Sequence, residues 1–363
     1  MTLVSPGERL SICLVANCRF PIAEPFTGGL ESMTWHLASE LVRRGHEVAV
    51  FAAPGSDPSL GAVELSVEPM PDHPGRHDLG APPFVEVAEH HAYLSLMLQL
   101  SGQEGEGFDL MHNNSLHYLP VAMARSLSMP VLTTLHTPPL WWLESAVRLD
   151  GGSSSFAAVS RHTAASWAPI VESTCVLNGV DVDQWPAGPG GATAVWSGRL
   201  VAEKAPHDAV LAARKAGIPI VLAGPILDLD YFRTEVEPLL GPEATYAGHL
   251  AQADLAALVG GSAVAVVTPA WDEPYGLVAA EALACGTPVA AYARGGLPEV
   301  VSADTGRLAT GGDVDMLAAA ITSALSLDRA QCRRHAEDEL SLTRMVDRYE
   351  DLYLDIVGRR LAA

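Results

Sequence analysis

Short runs of β-branched and small apolar residues recur along the chain at 11–16, 46–52, 108–112, 131–135, 156–159 and 175–177. They return at 193–197, 218–223, 245–248, 263–268 and 288–292. Each is too short for a stable helix and is bounded by glycine, proline or a polar cluster. Such runs predict strands buried in a parallel sheet. Between them the period changes, and apolar positions three and four apart predict helices at 31–44, 85–100, 204–216, 254–259 and 341–361. The same junction of helix end and Val-rich run returns at Gly45, Met129-Pro130, Gly217-Ile218-Pro219 and Gly286-Thr287-Pro288. Strand and helix in alternation, twice over, predict an α/β protein of two doubly wound domains facing a cleft.

A composition shift separates the two runs. Asn178-Gly179-Val180-Asp181 is a turn signal, and WPAGPGGAT follows it at 185–193. The predicted domains are therefore 1–180 and 181–340, with the last helix, 341–363, beyond them. Residues 54–83, rich in Pro, Gly, Asp and His, predict an irregular surface segment.

The stretch 263–301 concentrates the chemistry. After the strand at 263–268, Glu273-Pro274 predicts a helix start, with an acid at the cap and proline at the first position. The helix body, 276–285, is apolar all round except for Glu281. A carboxylate in a buried helix is costly unless something binds it. Glu273 and Glu281 would lie ~12 Å apart along the axis. The outer one sits beside the positive end of the helix dipole, a place for an anion, and the inner one can meet hydroxyls. Phosphate with hydroxyls at both ends describes a nucleotide-sugar. A capping Glu and a Glu with a buried protein partner is the simpler alternative.

Cations are scarce near this stretch. SGRLVAEK closes the strand at 193–197, and its Arg199 and Lys204 can clamp a diphosphate or pair locally with Glu203. Gly28-Gly29 precedes the first helix and can admit a ligand to its N-terminus. His112 and His136 each end a strand, and Trp141-Trp142 offers stacking surface or core packing.

Composition narrows the partners. Net charge is −21, which argues against nucleic acid and against docking on an anionic membrane. Arg43-Arg44 and Arg333-Arg334 are expected to be ordinary helix C-terminal charges. A soluble small acceptor, neutral or cationic, is the expected partner. No apolar run spans a bilayer and no secretory leader is evident, so a cytoplasmic protein is expected. The five cysteines are scattered and the 13 histidines show no ligand spacing. The pairs Asp181/Asp183, Asp228/Asp230 and Asp313/Asp315 lie in turn-rich segments and are expected to be solvated turns and helix caps. No metal site is predicted.

EPYGLVAAE resembles the E-x7-E motif of the family 4 retaining glycosyltransferases, and is followed by the family's A-x-G-x-P-V strand and GG-x-PE loop. SGRLVAEK resembles the family's GRL-x-x-x-K-G, with Ala205 in place of the usual glycine. Gly28-Gly29 matches its amino-terminal glycine loop, and Asp109 to Asn114 resembles D-x-x-H-x-H with Asn114 at the second histidine. The resemblance implies the GT-B fold, two Rossmann-like domains facing a central cleft, with the last helix crossing back to the first domain. It implies sugar transfer from a nucleotide-diphosphate sugar, a UDP-sugar foremost, with no cofactor or metal. It assigns Glu273 to donor-sugar hydroxyls, Glu281 to the ribose, and Tyr275, Gly276 and Leu277 to backbone donation. His249-Leu250 would lie against the base, and His112 would contact the sugar, with His136 a second candidate. The visible set lacks a nucleophile, which suits a front-face mechanism. A sugar-nucleotide epimerase or phosphorylase on the same fold stays open, as does a non-catalytic nucleotide-sugar binding subunit.

Overall fold

The computed structural model describes residues 9–65, 80 and 82–362. The first sheet contains β1 (Ser11–Val15), β2 (Glu47–Ala52), β3 (Val63–Glu64), β4 (Leu110–Asn113), β5 (Val131–Leu135), β6 (Ser154–Ala158) and β7 (Thr174–Cys175). Their order is β3-β2-β1-β4-β5-β6-β7. The second contains β8 (Ala194–Ser197), β9 (Ile220–Ala223), β10 (Ala244–Tyr246), β11 (Val264–Val267), β12 (Val289–Tyr292) and β13 (Gly306–Ala309), in the order β10-β9-β8-β11-β12-β13. Every pairing in both sheets is parallel. β4, β5, β11 and β12 are buried at every position, which is why their sequences run apolar without alternation.

Two doubly wound sheets of Rossmann type follow. In each, strand order reverses beside the first strand, between β1 and β4 and between β8 and β11. Open α/β sheets bind ligands at the carboxyl ends of the strands flanking such a reversal. Here the two reversal points open onto one cleft.

The last helix, Leu342–Ala362, lies against the first sheet. Its Met345, Val346, Tyr349 and Tyr353 are packed with Ile12, Leu14, Leu37 and Leu41. Arg44 ties it down through Asp347 at 2.6 Å and Glu350 at 2.5 Å, besides bonding Glu40 of its own helix. The chain thus passes between the sheets twice, and the passages pair. Val180 N–H donates to Leu340 O, and Leu342 N–H to Val180 O, each at 2.8 Å. Gly179 allows this approach, since a Cβ there would lie 2.4 Å from Ser341 O.

Some expectations are corrected. The site helix begins at Leu277 rather than Pro274. Gly276, at φ 102°, precedes it in a left-handed conformation, and a Cβ there would lie 2.5 Å from Leu297 Cδ2. The left-handed turn interrupts any helix from Glu273-Pro274, and Leu297 leaves room at that turn only for glycine. The run at 175–177 pairs only through Thr174–Cys175. Arg333 is no helix-terminal charge. It lies within the helix Arg329–Glu339 and donates to the carbonyls of Val182, Trp185 and Ala284, between 2.7 and 2.9 Å. Arg329 does the same for Ser262 and Gly260, both at 2.9 Å. Within 54–83, a turn of 3-10 helix at Pro58–Leu60 and the short β3 interrupt the irregular chain; 66–79 and 81 lie outside the described residues.

Candidate functional site

The cleft has a volume of about 380 Å³ and is lined from both domains, within the range typical of small-molecule sites. From the first domain come Asn17, the loop 25–29, Glu31, Leu116 and His136; from the second, Arg199, Lys204, Leu250 and the segment from Glu273 to Val278, with Glu281. The glycine loop, both cations, His136, Leu250, Glu273, Tyr275, Gly276, Leu277 and Glu281 are thus brought together.

His112 is not among them. It is fully buried, with Nδ1 2.7 Å from the Tyr353 hydroxyl and Nε2 2.8 Å from Thr134 Oγ1. Its reading as a sugar contact is corrected: the last helix covers it, and both ring nitrogens are engaged inside the core. Burial lowers its pKa to about 3, so it stays neutral. Trp141 and Trp142 also stand outside the cleft lining, although Trp142 Nε1 donates to the carbonyl of Leu116, which lines it.

At the mouth, Lys204 Nζ meets Glu273 Oε2 at 2.5 Å and lies 5.1 Å from the centroid of the Trp271 ring. Arg199 reaches Glu203 at 3.0 Å, the local pairing foreseen as an alternative. That pair is partly exposed, so it competes weakly with a bound anion. No side chain caps the helix Leu277–Ala284, and its first residues, Leu277 and Val278, line the cleft. Orphan amides, the helix dipole and two cations make this end of the cleft favourable for phosphate.

Deeper in, Glu281 faces the cleft from a helix of otherwise apolar residues. Surrounding protein desolvates it and pushes its pKa up to about 7. Among the described residues no side chain bonds its carboxylate, in contrast to Glu273. The sequence alternative of a Glu satisfied by a buried protein partner is therefore absent.

His136 Nε2 lies 2.9 Å from Asn114 Oδ1, and burial lowers its pKa to about 3. His249 Nε2 bonds Phe26 O at 3.2 Å across the domains. Gly29 also sits at the junction, since a Cβ there would lie 2.8 Å from Leu277 Cδ1.

Sequence reasoning missed Glu31, in the first turn of the helix Gly29–Arg43. It is 5% exposed, lines the cleft, and receives a long bond from Asn17 Nδ2 at 3.5 Å. Burial raises its pKa, opposed by a hydrogen bond from the backbone, that from Asn17 and, least, the charge of Arg199. Its position two residues after Gly28-Gly29 was the available signal. The D-x-D strings are turns and caps: Asp228 accepts from Tyr231 N, Asp313 from Met316 N and Asp181 from Asp183 N. Among the described residues, no helix is long and apolar enough to cross a membrane.

Two facing Rossmann-type domains with an anion-favouring helix start in the cleft are the architecture of the GT-B glycosyltransferases, which use nucleotide sugars, and its relatives place the chain among them. The family model for glycosyltransferase family 4 matches residues 27–184, and that for glycosyl transferases group 1 matches 181–339. The chain belongs to the family 4 glycosyltransferases. It is 28% identical to glycogen synthase of Mycobacterium tuberculosis over 359 residues, covering 85% of each chain. It is 29% identical to D-inositol 3-phosphate glycosyltransferase of Mycobacterium avium over 374 residues, covering 88% of this chain and 86% of that one. The solved structure of Anabaena Alr3699/HepE with UDP and glucose matches at TM-score 0.72 and 17% identity, covering 95% of this chain and 99% of that one.

Proposed function

We propose that the protein is a retaining, metal-independent glycosyltransferase that moves a sugar from a UDP-sugar to a hydroxyl of a small soluble acceptor in the cytoplasm. The observation that carries this reading is the contrast between the loop before the site helix and the helix itself. Glu273 at the mouth is charge-paired by Lys204, whereas Glu281 inside has no side-chain partner among the described residues. A diphosphate fits between Arg199, Lys204 and the amides at 277 and 278. The ribose hydroxyls then donate to Glu281, and hydroxyls of the donor sugar to Glu273. That Alr3699/HepE was solved with UDP and glucose supports UDP as the nucleotide. Five unpaired cysteines support a reducing compartment.

In the reaction, the bond from the anomeric carbon to the β-phosphate oxygen breaks. The acceptor oxygen bonds to that carbon from the same face, and its proton passes to the departing phosphate oxygen. Stabilising the negative charge on the leaving diphosphate is the main catalytic contribution, and Arg199, Lys204 and the helix start supply it. Glu31 on the opposite wall favours an acceptor that is neutral and hydroxyl-rich, or cationic.

Calorimetric titration with UDP, GDP and ADP tests the donor site. Micromolar UDP binding that weakens at least tenfold in Glu281→Ala, about 1.4 kcal/mol, is the expected result. No binding of any nucleotide would overturn the reading. The anomeric configuration of the product, read by NMR, tests retention.

A further inference from the structure

One contact between the domains bears directly on the site loop. The helix Arg161–Trp167 of the first domain begins with two basic residues, Arg161 and His162. Basic side chains oppose the positive end of a helix dipole, and the first amides of any helix need outside acceptors. Glu299 of the second domain supplies both needs. Its Oε2 accepts from Arg161 N at 2.9 Å and its Oε1 from His162 N at 2.8 Å. A carboxylate from one domain therefore caps a helix of the other.

The same turn also grips the site loop. Ser160 Oγ accepts from Thr163 N at 3.0 Å and donates to Pro274 O at 2.5 Å. Thr163 Oγ1 donates to the same carbonyl at 3.2 Å. Ser160 and Thr163 are fully buried. Pro274 directly follows Glu273, whose own carbonyl accepts from Gly296 N at 2.7 Å. Gly295 and Gly296 lie flat against this loop: a Cβ on the first would be 2.0 Å from Glu273 O, and on the second 2.6 Å from Pro274 O. The loop at Glu273 is thus held by two successive carbonyls, that of Glu273 anchored in its own domain and that of Pro274 in the other.

We propose that Ser160 and Glu299 are positioning residues that set Glu273 for the donor sugar only while the two domains are in contact. The inference rests on the cleft being a nucleotide-sugar site. Arg199, Lys204, Glu281 and the helix start all belong to the second domain, so nucleotide binding does not need the contact. The sugar-directed carboxylate does. Domain contact is thereby made a condition for chemistry without being one for UDP binding.

Ser160→Ala and Glu299→Ala test this, with Glu299→Gln as a milder variant. UDP and UDP-glucose affinities are measured by calorimetry, UDP release from UDP-glucose by coupled assay, and amide hydrogen exchange by mass spectrometry. The expected result is UDP affinity within twofold of wild type, at least tenfold slower UDP release, and faster exchange at 273 and 275 together with 161–163, with 277 and 278 unchanged. Ser160→Thr, which keeps the hydroxyl, should restore both. Unchanged exchange at 273 and 275 and unchanged turnover would overturn the proposal. So would a parallel loss of UDP affinity and turnover, the mark of general damage. If wild type binds no UDP, the donor reading fails, and the exchange data alone then decide whether the contact controls the loop.

Discussion

Lys204 and Glu273 form an ion pair at the mouth of the cleft, 2.5 Å from Nζ to Oε2, with both side chains largely shielded from water. They come from the loops after β8 and β11, strands adjacent in the sheet and far apart in sequence. The pair holds an acid of the loop that directly precedes the phosphate-favouring amides of 277 and 278. Lys204 can therefore serve the carboxylate and the diphosphate together.

Replacing Lys204 by Met removes a phosphate cation and strands Glu273. Turnover should fall at least a hundredfold. Stability should fall by about 1–3 kcal/mol, less than for a wholly buried broken pair. The double variant Lys204→Met with Glu273→Gln should recover most of the stability and none of the activity. Chemical denaturation and UDP release from UDP-glucose measure the two effects.

Glu281 makes binding and stability depend on pH in opposite directions. Its folded pKa is about 7, raised by burial from an ordinary value of 4.5. Between those values the folded state keeps a proton that the unfolded state loses. Its contribution to stability therefore falls as pH rises from 4.5 to 7, and the full cost persists above 7. Ribose hydroxyls need the ionised carboxylate as acceptor, so UDP affinity should weaken below pH 7. Glu281→Gln should raise the melting temperature at pH 8, lower UDP affinity there, and flatten the pH dependence of binding. Melting curves and calorimetry from pH 5.5 to 8.5 check this.

Glu31 lines the cleft from the first domain, and the proposed function puts it on the acceptor's side. Glu31→Gln should raise the acceptor KM at least fivefold while leaving UDP affinity within twofold. Initial-rate kinetics with the acceptor varied at saturating donor separate the two. An equal loss for donor and acceptor would place the carboxylate elsewhere in the mechanism.

Ala205 occupies the position where the family's usual residue is glycine, and it adopts φ 44°. A Cβ in the left-handed region costs roughly 1–2 kcal/mol, partly offset by the lower entropy of alanine in the unfolded chain. Ala205→Gly should therefore stabilise the protein by about 0.5–1 kcal/mol with activity kept, measurable as a shift in the denaturation midpoint.

What was legible in the sequence is what one strand-loop-helix unit contains. Glu273, Glu281, Arg199 and Lys204 each lie in a single such unit, and the buried strands around them carry an unmistakable apolar pattern. His112 was misread because only the return of Tyr353 from the far end of the chain shows what covers it. The helix start was misplaced because the chain turns left-handed at Gly276, and Leu297, twenty residues beyond Leu277, leaves room there only for glycine. Glu31, Ser160 and Glu299 gain their meaning only when two domains meet. No window of sequence contains both sides of that junction.

The paired passages at Val180 and Ser341 also govern how the molecule can deform. Arg329 and Arg333 fasten 182–188 to the second domain through backbone carbonyls, so the linker travels with that domain as one body. Just before that fastened segment, Val180 exchanges hydrogen bonds with Leu340 and Leu342. One passage cannot slide along the other without breaking both bonds. The only two crossings of the described chain between its sheets are thus stitched to each other at one place, 2.8 Å bonds on either side of Ser341.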